Sequence, residues 1–265
     1  MNTTKGLSGN QLKIIGIVLM TINHLDLLFY PNLEHIPWLN FLVLFAGPAV
    51  APLFIFLSSE GYYYTRNKQK YLFTLLLGFW GMSLVKFLLT HLLNLSVDYE
   101  NLLFMNIFGG IFQAVLAMYL YDSIVKHFKE KKRIIAILLI CLLVLLLSSL
   151  FWMSSVSNPM YLKIGMDIVP VVVEGAPILP LMGLLFHIFR NNKKIILLIA
   201  LLFVLPNSII DLLSNGLSGS MWSALLLPLF ILFYNGQRGN GPNKYFFYIY
   251  YPLHIAFFVL INYVS

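Results

Sequence analysis

His24 and His254 are the residues of this chain best suited to moving a proton. Each stands about ten residues inside an apolar run. His24 belongs to Thr21-Ile22-Asn23-His24-Leu25-Asp26 and follows Lys13 by eleven positions. That is about 16 Å along a helix, close to the middle of a bilayer. His254 closes Tyr250-Tyr251-Pro252-Leu253-His254, ten residues beyond Lys244. A neutral imidazole takes a proton from an attacking hydroxyl or amine near physiological pH. The plainer role for a histidine in a membrane helix is to bond a neighbouring helix's carbonyl, and for His254 both roles stay open. The polar neighbours of His24 favour a site. Asn23 is consecutive with His24, so the two side chains point about 100° apart and need different partners. Asp26 falls towards the outer interface, where an acid is tolerated.

Other ionisable groups cluster in two places. Ser58-Ser59-Glu60-Gly61 is followed by Tyr62, Tyr63 and Tyr64 and then by Thr65, Arg66, Lys68 and Lys70. Glu60 either reaches the headgroups, pairs with Arg66 or belongs to a site. Asp167 and Glu174 share a run broken by Pro170, Pro177 and Pro180. His91 and His187 lie at run ends and read as interfacial. Trp38, Trp80, Trp152 and most of the tyrosine triplet read as interface anchors. There is no Gly-rich phosphate loop ending in Lys-Ser/Thr, no His-Glu-x-x-His and no Gly-x-Ser-x-Gly. Cys141 is the one cysteine, in the middle of an apolar run, and reads as a small apolar residue. No closely spaced acids provide a di-metal site, so no metal is expected. What remains is a mid-membrane base and a basic face able to hold an anionic donor. That combination suits acyl transfer from a cytosolic activated donor to an acceptor arriving from the other side.

The elements that must position these groups follow from composition and charge. Hydrophobic residues make up 60% of the chain and charged ones 10%, far from the roughly 45–50% and 25% of soluble domains. Polar gaps divide the chain into nine candidate spans, approximately 12–31, 38–60, 71–93, 103–124, 134–153, 165–189, 194–213, 220–235 and 245–264. The eighth is short and carries Pro228, so eight or nine helices are expected to cross. The fold class is an all-α, polytopic transmembrane helix bundle forming one domain over residues 1–265. Apart from Lys86 and Lys163, all 17 Lys and Arg residues fall before the first run or in alternate gaps. The gaps between hold Glu34, Asp98, Glu100 and Asp211. Basic short loops are retained on the cytoplasmic side, which places the N-terminus inside. The net charge of +7 is therefore a topology signal and needs no nucleic-acid partner. The first run is too long for a signal-peptide core and reads as a retained helix.

Several segments carry a family likeness. Leu7-Ser8-Gly9-Asn10-Gln11-Leu12-Lys13-Ile14-Ile15 followed by Met20-Thr21-Ile22-Asn23-His24 resembles the first helix of the TraX family. Pro52-Leu53-Phe54-Ile55-Phe56 with Glu60-Gly61-Tyr62, Thr65-Arg66-Asn67 and Lys70-Tyr71 resembles its second signature. Asn101-Leu102-Leu103-Phe104 with Gly109 is similar to a weaker third. Lys244-Tyr245-Phe246-Phe247-Tyr248 through Tyr251-Pro252-Leu253-His254 looks like the closing helix. The resemblance implies a multi-pass protein of the bacterial inner (plasma) membrane, related to F-pilin N-acetylase, which uses acetyl-CoA. It also implies kinship with membrane acyltransferases that modify envelope sugars, in which a first-helix histidine is the usual catalytic candidate. That histidine maps onto His24. The family's aspartate before the histidine is Asn23 here, and its glycine-arginine pair reads Gly47-Pro48.

Combined, these readings give an acetyl-CoA-dependent N- or O-acyltransferase. His24 is expected to act as base, with Asn23 or a backbone amide as the oxyanion donor. Arg66, Lys68, Lys70 and Glu60 form the donor site, and Asp26, Tyr62 and His254 line the pocket. The acceptor is a pilin-like peptide or an envelope glycopolymer. Two other classes stay open. One is a transporter or flippase, with the sixth run as a broken helix. The other is a non-catalytic accessory component of a conjugation or secretion system.

Overall fold

The computed structural model describes residues 5–95, 103, 106–149, 151, 167–171, 173, 175–216 and 219–264. Asp98, Glu100, Asn101, Leu102, Phe104, Trp152, Lys163 and Glu174, which figure in the expectations above, lie outside them. Among the described residues the fold is all α, as expected, and the β pairing consists of an isolated bridge between Leu7 and Tyr234. Six helical stretches among the described residues are long and apolar enough to cross a bilayer: Gly9–Phe29, Pro37–Tyr64, Lys68–Leu93, Ile107–Lys129, Lys193–Asn215 and Tyr245–Val264. They make the chain a multi-pass membrane protein. Three of the nine expected runs give shorter apolar helices, Arg133–Leu147, Ile178–Ile188 and Met221–Phe233. The 15 residues of Arg133–Leu147 span only about 22 Å at 1.5 Å per residue.

The first two expected spans are each interrupted. α1 (Gly9–Asn23) and α2 (Leu25–Phe29) meet at His24, whose backbone leaves the helical region (φ −81°, ψ 7°). α3 (Pro37–Ala46) and α4 (Val50–Tyr64) meet at Gly47-Pro48-Ala49, where proline removes a backbone donor. α5 (Lys68–Leu93) follows directly. Next come α6 (Ile107–Lys129), α7 (Arg133–Leu147), α8 (Ile178–Ile188) and α9 (Lys193–Asn215). A 3₁₀ turn at Met221–Leu225 leads into α10 (Leu226–Phe233), and α11 (Lys244–Val264) ends the described fold.

Contacts divide these helices into two compact units. The first holds Met1–Phe54, Leu84–Phe104 and Lys193–Ser265, and the second holds Ile55–Ser83 and Met105–Asn192. The boundary falls inside α4 and α5.

In the first unit, α1 begins with a capping box. Ser8 Oγ accepts from the Gln11 amide, and the Gln11 side chain accepts from the Ser8 amide at 2.8 Å. The loop after α10 supplies what the cap leaves open. Gly9 N donates to the Gln237 carbonyl (2.8 Å) and Asn10 N to that of Arg238 (2.9 Å). The Asn10 side chain reaches the Gly239 carbonyl at 3.0 Å. The two backbone donors would otherwise be orphaned at a helix start, and the Asn10 side chain adds a third bond, so the polar letters of the Leu7–Lys13 signature serve to seat the loop. Gly16 brings α1 close to Phe54, whose ring lies 3.0 Å from where a Cβ would stand. At the other end Asn262 of α11 donates to the carbonyls of Leu28 (2.9 Å) and Tyr30 (2.7 Å). It thereby satisfies acceptors freed where α2 stops.

The second unit is built on α6. Gln113, Ala114, Val115, Ala117 and Met118 are fully buried, and the small Ala114 admits α8 closely. Gly183 leaves only 3.0 Å between a would-be Cβ and Ala114. Within the sixth run, the helix Ile178–Ile188 begins only after the prolines at 170 and 177. Pro170 and Pro177 cannot donate, and Gly175 turns the chain with φ +66°. The freed carbonyls are collected instead: Gln113 donates to Pro170 (2.9 Å) and Val171 (2.8 Å), and Trp80 donates to Ile168 (2.7 Å). Hydrocarbon would leave such groups unsatisfied. α7 turns Ile134, Leu138 and Val144 outward, each more than half exposed, which is the surface lipid tails solvate.

Candidate functional site

His24 and His254, both in the first unit, meet. Nδ1 of His24 lies 2.8 Å from Nε2 of His254, and the rings stack with centroids 5.1 Å apart. Their partners fix the tautomers. His254 Nδ1 sits 2.9 Å from the Tyr250 carbonyl, which only accepts, so Nδ1 carries a proton. In a neutral ring Nε2 is then the acceptor, so the proton in the shared bond comes from His24 Nδ1. The remaining nitrogen of His24, Nε2, bears a lone pair and has no hydrogen-bond partner among the described residues. His24 is half-buried, while His254 is buried.

Aromatic residues enclose the pair. Tyr250 stacks on His254 with centroids 5.0 Å apart, and Phe258 meets the same ring edge-on at 5.9 Å. Tyr251 tilts against His24 at 6.0 Å and His254 at 5.8 Å. Tyr250 is itself tethered. Thr21 Oγ1 spends its proton on the Ile17 carbonyl (2.8 Å), so the Tyr250 hydroxyl donates to Thr21 at 2.7 Å. The helix break at His24 matters for the same geometry. Residues in this sparsely populated backbone region are common at active sites.

Asn23 faces elsewhere. Its Nδ2 donates to the Val43 carbonyl of α3 at 2.9 Å, and the side chain fills the space that Gly47 leaves open. The Asp26 carboxylate accepts from the Leu27 amide at 2.8 Å, in the first turn of α2.

Glu60, Tyr62, Arg66, Lys68 and Lys70 belong to the second unit, and there they join residues that sequence reading passed over. Asp122 of α6 accepts from the Tyr62 hydroxyl at 2.9 Å and from His187 Nε2 at 2.8 Å. Lys68 caps α4, donating to the carbonyls of Tyr62 and Tyr63, with its ammonium 4.1 Å from the Tyr62 ring centre. Glu60 lies 3.6 Å from the Arg190 guanidinium, which rests on the Tyr63 ring. Arg66 and Lys70 are exposed, and the Lys70 amide starts α5 against Asn67 Oδ1 at 2.8 Å. A groove of about 450 Å³ runs beside Asp122, lined by Tyr121, Val125, Lys126, Lys129 and Glu130. Asp122 was missed, His187 was read only as interfacial, and Arg190 counted only towards the charge pattern. The available signal was Asp122 itself, the one charged residue of the 103–124 run, which by default faces a partner.

No group of three or more His, Cys, Asp or Glu residues suited to a metal occurs among the described residues. Comparison with known proteins bears on the whole chain. A relative from Dichelobacter nodosus, described as a probable fimbrial assembly protein FimC of serogroup H1, is 27% identical over 253 residues. The match covers 94% of this chain and 93% of that protein. No solved structure matches. The family model described as TraX protein matches residues 8–167 and 171–262. With the first-helix histidine, the second signature and the closing helix all within those limits, the chain belongs to the TraX family.

Proposed function

We propose that this chain is an acyltransferase of the bacterial plasma membrane that transfers acetyl from acetyl-CoA to a pilin-like peptide amine or an envelope-polymer hydroxyl. The observation that carries the reading is the free nitrogen of His24. Its tautomer is set by His254, and the residue is half-buried. Such a nitrogen can take the acceptor's proton as the acceptor attacks a thioester. Arg66 and Lys70 are exposed cations on a short turn, suited to the donor's phosphates. Lys68 and Glu60 shape that turn through Tyr62, Tyr63 and Arg190. The distribution of Lys and Arg puts the N-terminus and this turn in the cytoplasm, the compartment that supplies acetyl-CoA. Family membership and a relative named for fimbrial assembly support a pilin-like acceptor over a sugar.

The relative's description also favours a second reading, an assembly factor without chemistry. Purified protein in lipid, supplied with labelled acetyl-CoA and candidate acceptors, separates the two. Label transfer that disappears in the His24→Ala variant, with insertion preserved, supports the enzyme. Full transfer in that variant refutes it. Pilus assembly that survives the loss of His24 would favour the scaffold.

A further inference from the structure

We propose that His254 is the positioning residue of the reaction and takes over the orienting task that a carboxylate beside His24 would otherwise perform. This rests on His24 acting as the base. A carboxylate orients a catalytic imidazole by accepting from its distal N–H and by stabilising the cation that forms. Asn23 does neither here, because its amide is committed to the Val43 carbonyl 2.9 Å away. The acceptor at His24 Nδ1 is instead the neutral Nε2 of His254 at 2.8 Å. His254 can accept only because its own Nδ1–H is held by the Tyr250 carbonyl, and its ring is clamped by Tyr250 and Phe258. The chain of donors therefore runs one way, from His24 through His254 to the backbone.

In the reaction the acceptor's N–H or O–H bond breaks and its proton passes to His24 Nε2. The freed pair bonds to the thioester carbonyl carbon. Collapse of the tetrahedral adduct breaks the C–S bond, and the leaving thiolate takes the proton back from Nε2. Between those events His24 is an imidazolium, and its Nδ1–H strengthens its bond to His254. The positive charge is shared over two rings without a buried anion, whose desolvation would be costly in this setting.

The test uses the full-length protein in lipid bilayers. His254→Phe keeps the aromatic contacts and removes the acceptor. His254→Gln returns an oxygen at about the reach of Nε2. Turnover should fall about 10²-fold in His254→Phe, with KM for the acyl donor unchanged, and should recover in part in His254→Gln. Independently of activity, solid-state NMR of ¹⁵N-histidine-labelled protein should show His24 protonated at Nδ1 and bare at Nε2. In His254→Phe the Nδ1 resonance should move. Wild-type turnover in His254→Phe beside an inactive His24→Ala overturns the positioning role and leaves the enzyme reading intact. Wild-type turnover in His24→Ala overturns that reading as well. A proton found on His24 Nε2 overturns the proposed tautomer directly.

Discussion

The amide nitrogen of Asn23 lies 2.7 Å from the point where a side chain on Gly47 would begin, while the same nitrogen donates to Val43 at 2.9 Å. α1 and α3 are therefore locked by a polar bond that only glycine accommodates. Gly47→Ala should destabilise the protein by about 1–3 kcal/mol through overpacking. Combining it with Asn23→Ala should cost less than the sum of the two changes, because both act on one contact. Thermal unfolding of the two single variants and the double variant in detergent would measure this. Strict additivity would refute the lock.

Asp122 holds the second unit's polar knot. Its two oxygens accept from Tyr62 and His187, and Tyr62 is buried. Asp122→Asn turns one acceptor into a donor and removes the charge, so the bonds to Tyr62 and His187 lose their charge assistance and at least one partner must reverse its role. Stability should fall by about 1–3 kcal/mol. Tyr62→Phe, which removes a donor and leaves the carboxylate exposed to other partners, should cost less. The ranking of the two melting temperatures checks the assignment.

At the start of α1, a Cβ on Gly239 would overlap the Ser8 hydroxyl, and Gly239 has φ +68°. Gly239→Ala meets both a collision and an unfavourable backbone. Ser8→Ala removes only the cap, at about 1 kcal/mol. Gly239→Ala should therefore lower the melting temperature more than Ser8→Ala. Equal effects would mean that the loop does not seat on the helix.

For the donor turn, Arg66→Ala and Lys70→Ala should each raise KM for acetyl-CoA, roughly tenfold for one lost contact of about 1.4 kcal/mol. The defect should shrink as salt rises, since exposed charges are screened. Turnover at saturating donor should hold. Label-transfer kinetics at two ionic strengths would test this, and an unchanged KM in both variants would remove the turn from donor binding.

The helices were legible because lipid leaves a strong trace in sequence. Every apolar run from 12–31 to 245–264 contains a helix. Where a run breaks was less legible. The interruption at Gly47-Pro48 has a local cause in proline, but that at His24 does not, since Asn23-His24-Leu25 carries no breaker. At the site, His24 and His254 both stood out as ionisable groups in hydrocarbon. Their union is a contact across 230 residues, and nothing periodic or local encodes it. Glu60 had Arg66 as a visible neighbour, yet it lies against Arg190, which only the packing of α4 and α8 brings near. Asn23 was expected to face the chemistry because it adjoins His24. The 100° step between consecutive helical residues sends it to α3 instead.

The span of chain between the two imidazoles has a consequence for biogenesis. All the intervening segments must leave the ribosome and enter the bilayer before the rings can touch, so a partly synthesised chain lacks the paired imidazoles. The turn of residues 237–239 that closes over Gly9 and Asn10 is also a late arrival. α1 thus waits for the later segment from residue 237 to α11 to secure both its first turn and the partner of His24 Nδ1. Premature termination anywhere between α1 and Tyr250 would leave a product in which His24 lacks its partner ring.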